Sequence, residues 1–154
     1  MEIVDLLNGE RVVDSLPAAS KKQVLQELSK RAAEITGLDE RSIFNILLER
    51  ERLGTTGVGK GVAIPHGKTA ELSELYGLFA RLDQPIDFDS VDDQKVDLVF
   101  LLLAPEGAGA DHLKALARVS RVLRDASVCQ SLRAAEDAKA IFEILSSESS
   151  VRAA

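Results

Sequence analysis

The segment VDLVFLLLA, residues 96–104, decides the fold predicted for this chain of 154 residues. It is apolar on both alternating faces and is followed by Pro105, so it predicts a central strand that is covered on both sides. A second short apolar segment, LYGLFARL at residues 75–82, predicts another strand. The two segments together indicate a sheet with a buried centre.

Two helical patterns precede these strands. Ser20 and Gln23 match a capping box, and the apolar residues that follow repeat at helical spacing until Gly37: Val24, Leu25, Leu28, Ala32 and Ile35. Asp39 predicts the start of a second helix, which ends before Gly54 and has the buried stripe Ile43, Ile46 and Leu47. Arg50 is therefore expected near a helix end.

Three further helices are predicted after the long strand. Asp111 is expected to cap the first, whose apolar residues are Leu113, Leu116, Ala117 and Leu123. Ser127 with Gln130 suggests another capping box, and Ala140, Ile141, Ile144 and Leu145 form a last amphipathic helix. Strands separated by such helices predict an α/β single-domain sandwich with a central mixed β-sheet flanked by helices. We expect the domain to span residues 1–148, with a C-terminal tail at 149–154.

Composition excludes several classes of partner. The formal net charge is −6, with acidic and basic residues interleaved, so nucleic-acid binding is disfavoured. Cys129 is the only cysteine, which leaves no disulfide framework and no thiolate metal site. The sequence contains no signal peptide and no apolar run long enough to span a bilayer, so we expect a cytoplasmic protein without membrane insertion.

The glycine-rich segment GTTGVGKGVAIPHGK, residues 54–68, admits two functional interpretations. Gly54, Gly59 and Lys60 satisfy part of the G-x-x-x-x-G-K pattern of a P-loop that binds nucleotides. Gly61, however, stands where a P-loop has serine or threonine, and the segment that follows resembles a strand rather than a helix. A P-loop-like nucleotide-binding protein is thus a remote alternative.

The second interpretation centres on His66. Pro65 restricts the backbone before it and Gly67 permits close approach after it, so the imidazole is expected at a strand end on a rigid scaffold. Neutral imidazole has a nitrogen lone pair near neutral pH and can form a phosphoramidate that passes its phosphoryl group on. A Pro-His-Gly turn taken alone is more often a turn with a solvated histidine, and that alternative stays open.

The other histidine, His112, follows a glycine-rich loop at a predicted helix N-terminus. Backbone N–H groups and the helix dipole favour an anion at such a position. The two histidines could therefore converge on one phosphate, although the same pattern also occurs as ordinary turn and capping chemistry. Placement of the two histidines far apart would contradict this hypothesis.

The segment at 54–68 resembles the active-site signature of the mannitol/fructose class of enzyme IIA domains of the phosphoenolpyruvate-dependent phosphotransferase system. The resemblance extends from SKKQVLQELSKRAAEITGL through LLERERLG and QPIDFDS to VDLVFLLLAPEGAGADHLKALARVSRVLRD. It implies the enzyme IIA fold of this class. It also implies a phosphohistidine-relaying phosphotransferase component rather than a turnover enzyme on its own.

The resemblance implies a role for each of three residues. His66 would accept a phosphoryl group through Nε2 from the phosphohistidine of an HPr-like carrier protein. His112 would hydrogen-bond the phosphate or the acceptor ring, and Arg50 would bind the phosphoryl oxygens. Arg52 is the residue that could take the place of Arg50. The resemblance implies neither a cofactor nor a metal ion.

The amino-acid sequences of the segments at 54–68 and 85–107 resemble the nitrogen-regulatory branch of this family more closely than the mannitol proteins. That branch implies a protein whose phosphorylation state controls regulatory targets, for example kinases or transporters. The alternative is a sugar-specific fructose or mannitol enzyme IIA subunit that passes phosphate to an enzyme IIB. A pure interaction module without chemistry at His66 is a further hypothesis.

Overall fold

The computed structural model describes residues 2–153, with the backbone alone for residues 148–153. Over this range the chain forms one six-stranded mixed sheet with helices on both faces, as predicted. The strands are β1 (Val12–Leu16), β2 (Gly57–Gly59), β3 (Val62–Ala63), β4 (His66–Thr69), β5 (Tyr76–Ile86) and β6 (Val96–Pro105). The α-helices are α1 (Lys21–Thr36), α2 (Glu40–Arg52), α3 (Ala110–Arg124), α4 (Ala126–Ala134) and α5 (Ala138–Ala153).

Strand β6 lies in the centre of the sheet, which confirms the prediction from its apolar run. It pairs antiparallel with β5 on one side and parallel with β3 and β4 on the other. Its side chains alternate between two apolar clusters, one against α1 and α2 and the other against α3, α4 and α5. Helices therefore cover both faces, which explains why the strand is apolar at successive positions.

Strands β3 and β4 follow the same edge of β6 in one register. Val62 lies opposite Leu98 and His66 lies opposite Leu102, so the offset between the partners is unchanged. Pro65 falls between the two strands, and its carbonyl accepts a hydrogen bond from the amide of Leu102 at 3.0 Å. His66 consequently lies at a strand end, as expected.

The first two helices begin and end close to the predicted residues. The Ser20 hydroxyl accepts a hydrogen bond from the Gln23 amide at 3.2 Å, and Gly37 ends α1. Asp39 accepts from the Ser42 amide at 3.0 Å and caps α2. Ile35, the last residue of the apolar pattern predicted for α1, is exposed in the last turn of the helix.

The predicted start of α3 is wrong, and of its predicted apolar residues Leu123 is buried whereas Leu113 is not. Gly109 is the N-terminal cap, with a φ of 55° that favours glycine, and Asp111 lies inside the first turn without capping it. Leu113 is 69% exposed, whereas His112, Ala115 and Val119 are buried. Leucines and alanines occupy several faces of this helix, so packing against the sheet, rather than the pattern, selected the buried face.

The capping box predicted at Ser127 is also wrong. Asp125 caps α4, and its carboxylate accepts hydrogen bonds from the amides of Ser127 and Val128 at 2.9 and 3.3 Å. The carboxylate precedes the predicted serine by two residues and satisfies the free amides of the first turn. The last helix, α5, is present as predicted, with Ile141 and Leu145 buried.

Three short strands, β1, β2 and β4, were not predicted. Strand β1 pairs parallel with β5 at one edge of the sheet, and β2 pairs antiparallel with β3 at the other. The predicted tail at 149–154 stays a prediction, because Ala154 lies outside the described residues and the backbone of α5 extends to Ala153. Within the described range, no helix is both long and apolar enough to cross a membrane.

Candidate active site

The ring of His66 is oriented by the backbone just before it. Nδ1 lies 2.8 Å from the carbonyl oxygen of Ile64, two residues upstream. A carbonyl oxygen can only accept a hydrogen bond, so Nδ1 carries the proton in the neutral ring. The lone pair of the neutral imidazole is therefore on Nε2, on the opposite side of the ring.

Arg50 faces that lone pair from the last turn of α2. Its Nε donates to Nε2 of His66 at 3.2 Å, and its Nη1 donates to the Gly54 carbonyl at 2.9 Å. Arg52 is exposed and makes no hydrogen bond or ion pair within residues 2–147. Of the two arginines considered from the sequence, the structure brings Arg50 to His66.

His112 approaches His66 from the first turn of α3. The two ring centroids are 5.8 Å apart, with an interplanar angle of 67°. His112 is only 5% exposed, and its Nε2 has no hydrogen-bond partner among the described residues. The structure thus brings together the three side chains selected from the sequence, His66, Arg50 and His112.

Burial and positive neighbours favour the neutral form of both histidines. Burial lowers the pKa of His66, and the Arg50 charge lowers it further, while the Ile64 hydrogen bond and Glu51 oppose them. The pKa of His112 is lowered first by burial and then by His66 and Lys68. Near neutral pH the arrangement therefore presents an unprotonated imidazole nitrogen beside a guanidinium.

The glycine-rich segment does not have the geometry of a P-loop. Helix α2, rather than a strand, precedes Gly54, and the strands β2 and β3 form a hairpin that turns at Lys60 and Gly61. A P-loop needs a strand before the glycines and a helix after them. The P-loop interpretation is therefore wrong. Arg133 holds the turn, because its Nη2 donates to the Lys60 carbonyl at 3.1 Å.

The family described as "Phosphoenolpyruvate-dependent sugar phosphotransferase system, EIIA 2" matches residues 5–148 of the sequence. The chain belongs to this enzyme IIA family. It is therefore a phosphotransferase component of the enzyme IIA type.

Nitrogen regulatory proteins are among the relatives of this enzyme IIA domain, and a mannitol IIA shares its fold. The nitrogen regulatory protein of Bradyrhizobium diazoefficiens is 62% identical over 145 residues, which cover 94% of this chain and 95% of the relative. The crystal structure of nitrogen regulatory protein IIA-Ntr from Neisseria meningitidis is similar with a TM-score of 0.88 at 34% identity, covering 93% of this chain and 98% of that one. Mannitol IIA from Escherichia coli shares the fold, with a TM-score of 0.76 at 22% identity over 90% of this chain and 98% of that one.

The enzyme IIA site also contains a buried carboxylate that sequence reasoning missed. Glu51 follows Arg50 directly, and its side chain is 4% exposed. Its Oε1 accepts from the Thr56 amide at 2.9 Å, and its Oε2 accepts from the Thr56 hydroxyl. The alternating Glu and Arg residues at 49–52 suggested a solvated helix end. The four-residue spacing of Ile43, Leu47 and Glu51 would have indicated that Glu51 lies on the buried face.

No described group of three or more His, Cys, Asp or Glu side chains in the enzyme IIA domain could hold a metal ion. The chemistry available at the site is that of two imidazoles and one guanidinium. Such a set can accept a phosphoryl group on nitrogen and bind its oxygens through charged donors.

Proposed function

We propose that this chain is a phosphoryl-accepting regulatory protein of the nitrogen-related phosphotransferase system. His66 takes a phosphoryl group on Nε2 from the phosphohistidine of an HPr-like carrier, and its phosphorylation state controls protein partners. The observation that carries the proposal is the orientation of the His66 ring. Nδ1 donates a hydrogen bond to the Ile64 carbonyl at 2.8 Å, which leaves Nε2 as the nucleophile facing Arg50.

In the transfer step the Nε2 lone pair of His66 forms a bond to phosphorus. The bond between phosphorus and the donor's imidazole nitrogen breaks, and the donor nitrogen keeps the electron pair. Positive charge develops on the His66 ring and is stabilised by the hydrogen bond from Nδ1–H to the Ile64 carbonyl. In phosphoryl transfer a protein mainly positions the reacting groups and compensates their charge. Here the backbone positions the His66 ring.

Arg50 and His112 bind the phosphoryl group in this proposal. The Arg50 Nε–H donates to Nε2 of His66. When Nε2 bonds to phosphorus it can no longer accept, so the Arg50 Nε–H becomes free to donate to the phosphoryl oxygens. The unpartnered, buried Nε2 of His112 can supply a second hydrogen bond to the same oxygens. In the tautomer with its proton on Nε2, His112 would donate to a phosphoryl oxygen and so gain a partner for this buried nitrogen.

Similarity to nitrogen regulatory proteins over nearly the whole of both chains supports the regulatory branch. Phosphorylation replaces a neutral imidazole by a group with net negative charge, which can make or break a protein interface. HPr-like carriers and regulatory targets such as kinases or transporters are the partners that the proposal requires. Residues 1–148 form the unit that carries the function.

The test is phosphorylation in a reconstituted relay. The chain is incubated with phosphoenolpyruvate, enzyme I and the HPr-like carrier, and acid-labile phosphate is followed by intact mass. We expect phosphorylation of the wild type, none of His66→Ala and slower phosphorylation of His112→Ala. An unlabelled wild type would contradict the proposal, and label retained in His66→Ala would assign the acceptor to another residue.

A second step in the same assay distinguishes the regulatory from the sugar-transporting function. The isolated phosphoprotein is mixed with a fructose-specific or mannitol-specific enzyme IIB, and phosphate on each protein is measured. A regulatory protein should retain its phosphate on the time scale of a control with bovine serum albumin. Rapid transfer to either enzyme IIB would assign the chain to sugar transport.

A further inference from the structure

Glu51 holds the loop that follows α2, and this loop in turn holds Arg50. The Glu51 carboxylate accepts hydrogen bonds from both the amide and the hydroxyl of Thr56. The Gly54 amide donates to the Glu51 carbonyl at 3.1 Å, so the loop folds back over the end of the helix. The Gly54 carbonyl then accepts from Arg50 Nη1 at 2.9 Å.

The Arg50 guanidinium is consequently held at two points. Gly54 accepts from Nη1, and His66 accepts from Nε at 3.2 Å on the other side. A flexible arginine side chain has many rotamers, and an anchor on the loop selects one of them. Displacement of Gly54 would therefore release the guanidinium from the His66 ring.

Lys21 compensates the charge of Glu51. Its Nζ lies 3.0 Å from Glu51 Oε1, 3.8 Å from Asp89 and 4.8 Å from the centre of the Phe88 ring. An unpaired buried carboxylate would be costly, and even a paired one adds little net stability compared with apolar residues of similar volume. Stability alone thus does not account for the Lys21–Glu51 ion pair. The Glu51 carboxylate also holds Thr56, in the loop whose Gly54 carbonyl accepts from Arg50.

We infer that Glu51, neutralised by Lys21, is a positioning residue for phosphoryl transfer, which acts through Thr56 and the Gly54 carbonyl to hold Arg50 against Nε2 of His66. The inference rests on the proposed function, because it concerns how the residues that would transfer the phosphoryl group are held in place. Glu51 itself does not touch the reacting atoms.

The decisive experiment compares Glu51→Ala with Arg52→Ala, a neighbouring substitution at an exposed position on the same helix. The first readout is the scalar coupling between Arg50 Nε and His66 Nε2 across their hydrogen bond, measured by NMR on the unphosphorylated protein. The second is the second-order rate constant of phosphoryl transfer from the phosphorylated carrier, and melting temperatures are recorded alongside both.

We expect Glu51→Ala to lose the coupling and to slow transfer roughly 100-fold, the effect of a misplacement of about 1 Å at a reacting centre. Glu51→Gln keeps an oxygen acceptor for the Thr56 amide, so it should retain the coupling and most of the rate. Arg52→Ala should behave as the wild type in both measurements.

Thr56→Val keeps the inference testable if Glu51→Ala fails to fold. It retains the Lys21–Glu51 pair and removes one of the two bonds to the loop, so it should weaken the coupling and slow transfer. Retention of coupling and rate in folded Glu51→Ala, or in Thr56→Val, would overturn the inference. The wild-type and His66→Ala controls report separately on the proposed function, and the NMR coupling does not depend on it.

Discussion

The side-chain Nε of Arg50 lies 3.2 Å from Nε2 of His66, so the guanidinium occupies the side of the ring where phosphorus would bond. This contact joins the last turn of α2 to the first residue of β4. The same donor can bind the ring nitrogen before transfer and the phosphoryl oxygens after it.

Substitution of Arg50 should slow phosphorylation without preventing folding. Hydrogen bonds to charged groups are worth about 1.5–3 kcal/mol, so Arg50→Gln should lower the second-order rate constant about 10- to 100-fold. Arg50→Lys keeps the charge but loses the planar donor group, and its rate should lie between those of the wild type and Arg50→Gln. The rate is measured with the phosphorylated carrier as donor. An Arg52→Gln protein as slow as Arg50→Gln would contradict the assignment.

The transfer rate should depend on pH through His66. Burial and the Arg50 charge hold the pKa of His66 below its ordinary value of 6.5, so the ring becomes protonated at a lower pH than an exposed histidine does. The rate is therefore expected to decrease at a lower pH than the titration of an exposed histidine would give. Arg50→Gln removes a neighbouring positive charge, which raises the pKa of His66 and should move the decrease to higher pH. NMR titration of His66 in a His112→Asn background measures this pKa directly, since only two histidines are present.

Stability should depend on the same two histidines. The pKa values of His66 and His112 are lower in the folded chain than the ordinary 6.5 of an unfolded one. The unfolded state therefore binds more protons just below pH 6.5, and the free energy of unfolding should decrease as the pH falls through this window. Urea unfolding at a series of pH values tests this. A double variant, His66→Ala with His112→Ala, should lose this part of the decrease, and an unchanged profile would assign it to other groups.

Gly67 should not tolerate a side chain. A Cβ at this position would overlap Cγ2 of Ile46, because β4 packs directly against α2 there. Gly67→Ala is expected to destabilise the fold by about 1–3 kcal/mol and to slow phosphorylation of the neighbouring His66. Urea unfolding and the transfer assay measure the two effects. Adding Ile46→Ala should restore part of the rate.

Gly107 offers a matched control for that substitution. No atom outside its chain neighbours lies within 4 Å of a Cβ built on it. Gly107→Ala should therefore leave stability and transfer close to wild type. Equal losses from Gly67→Ala and Gly107→Ala would show that the contact with Ile46 is not the cause.

Arg81 should affect stability but not transfer. Its guanidinium donates to the carbonyls of Asp14, Leu132 and Ala135 at 2.9, 3.0 and 2.6 Å, and so connects β1 to the end of α4. Arg81→Met leaves these acceptors without their donor and should lower the free energy of unfolding by about 1–3 kcal/mol. At temperatures where the protein is folded, the phosphorylation rate should be unchanged. A matched Arg124→Met substitution at an exposed position should leave stability unaffected.

The fold was predictable where one local pattern admitted one structure. The apolar run of β6, the Ser20 and Asp39 caps and the Gly37 stop define their elements almost alone. Helix α3 shows the opposite case, because Leu113 and Ala117 continued a plausible apolar stripe and are nevertheless exposed. A short strand such as β2 depends on pairing with β3, and no local pattern predicts it.

The candidate site also contains residues that the sequence predicted and one that it did not. His66 and Arg50 were identified by a motif and by the resemblance that it supports, and the structure places them in contact. Glu51 was missed because a Glu next to Arg in a charged helix end is usually solvated, whereas here Thr56 and Lys21 enclose it. Its burial depends on a loop and on another helix, and the helix α2 alone does not specify either.

The sequence by itself determined the class of the fold, the family and the residues available for chemistry, because these depend on residue types and their spacing. Only the tertiary structure decided which nitrogen of His66 carries the lone pair and which arginine faces it. The Ile64 carbonyl selects the tautomer, and the return of the chain past Gly54 selects Arg50 over Arg52. Both choices require distances of about 3 Å between hydrogen-bonding groups, and a chain acquires such distances only when its elements pack.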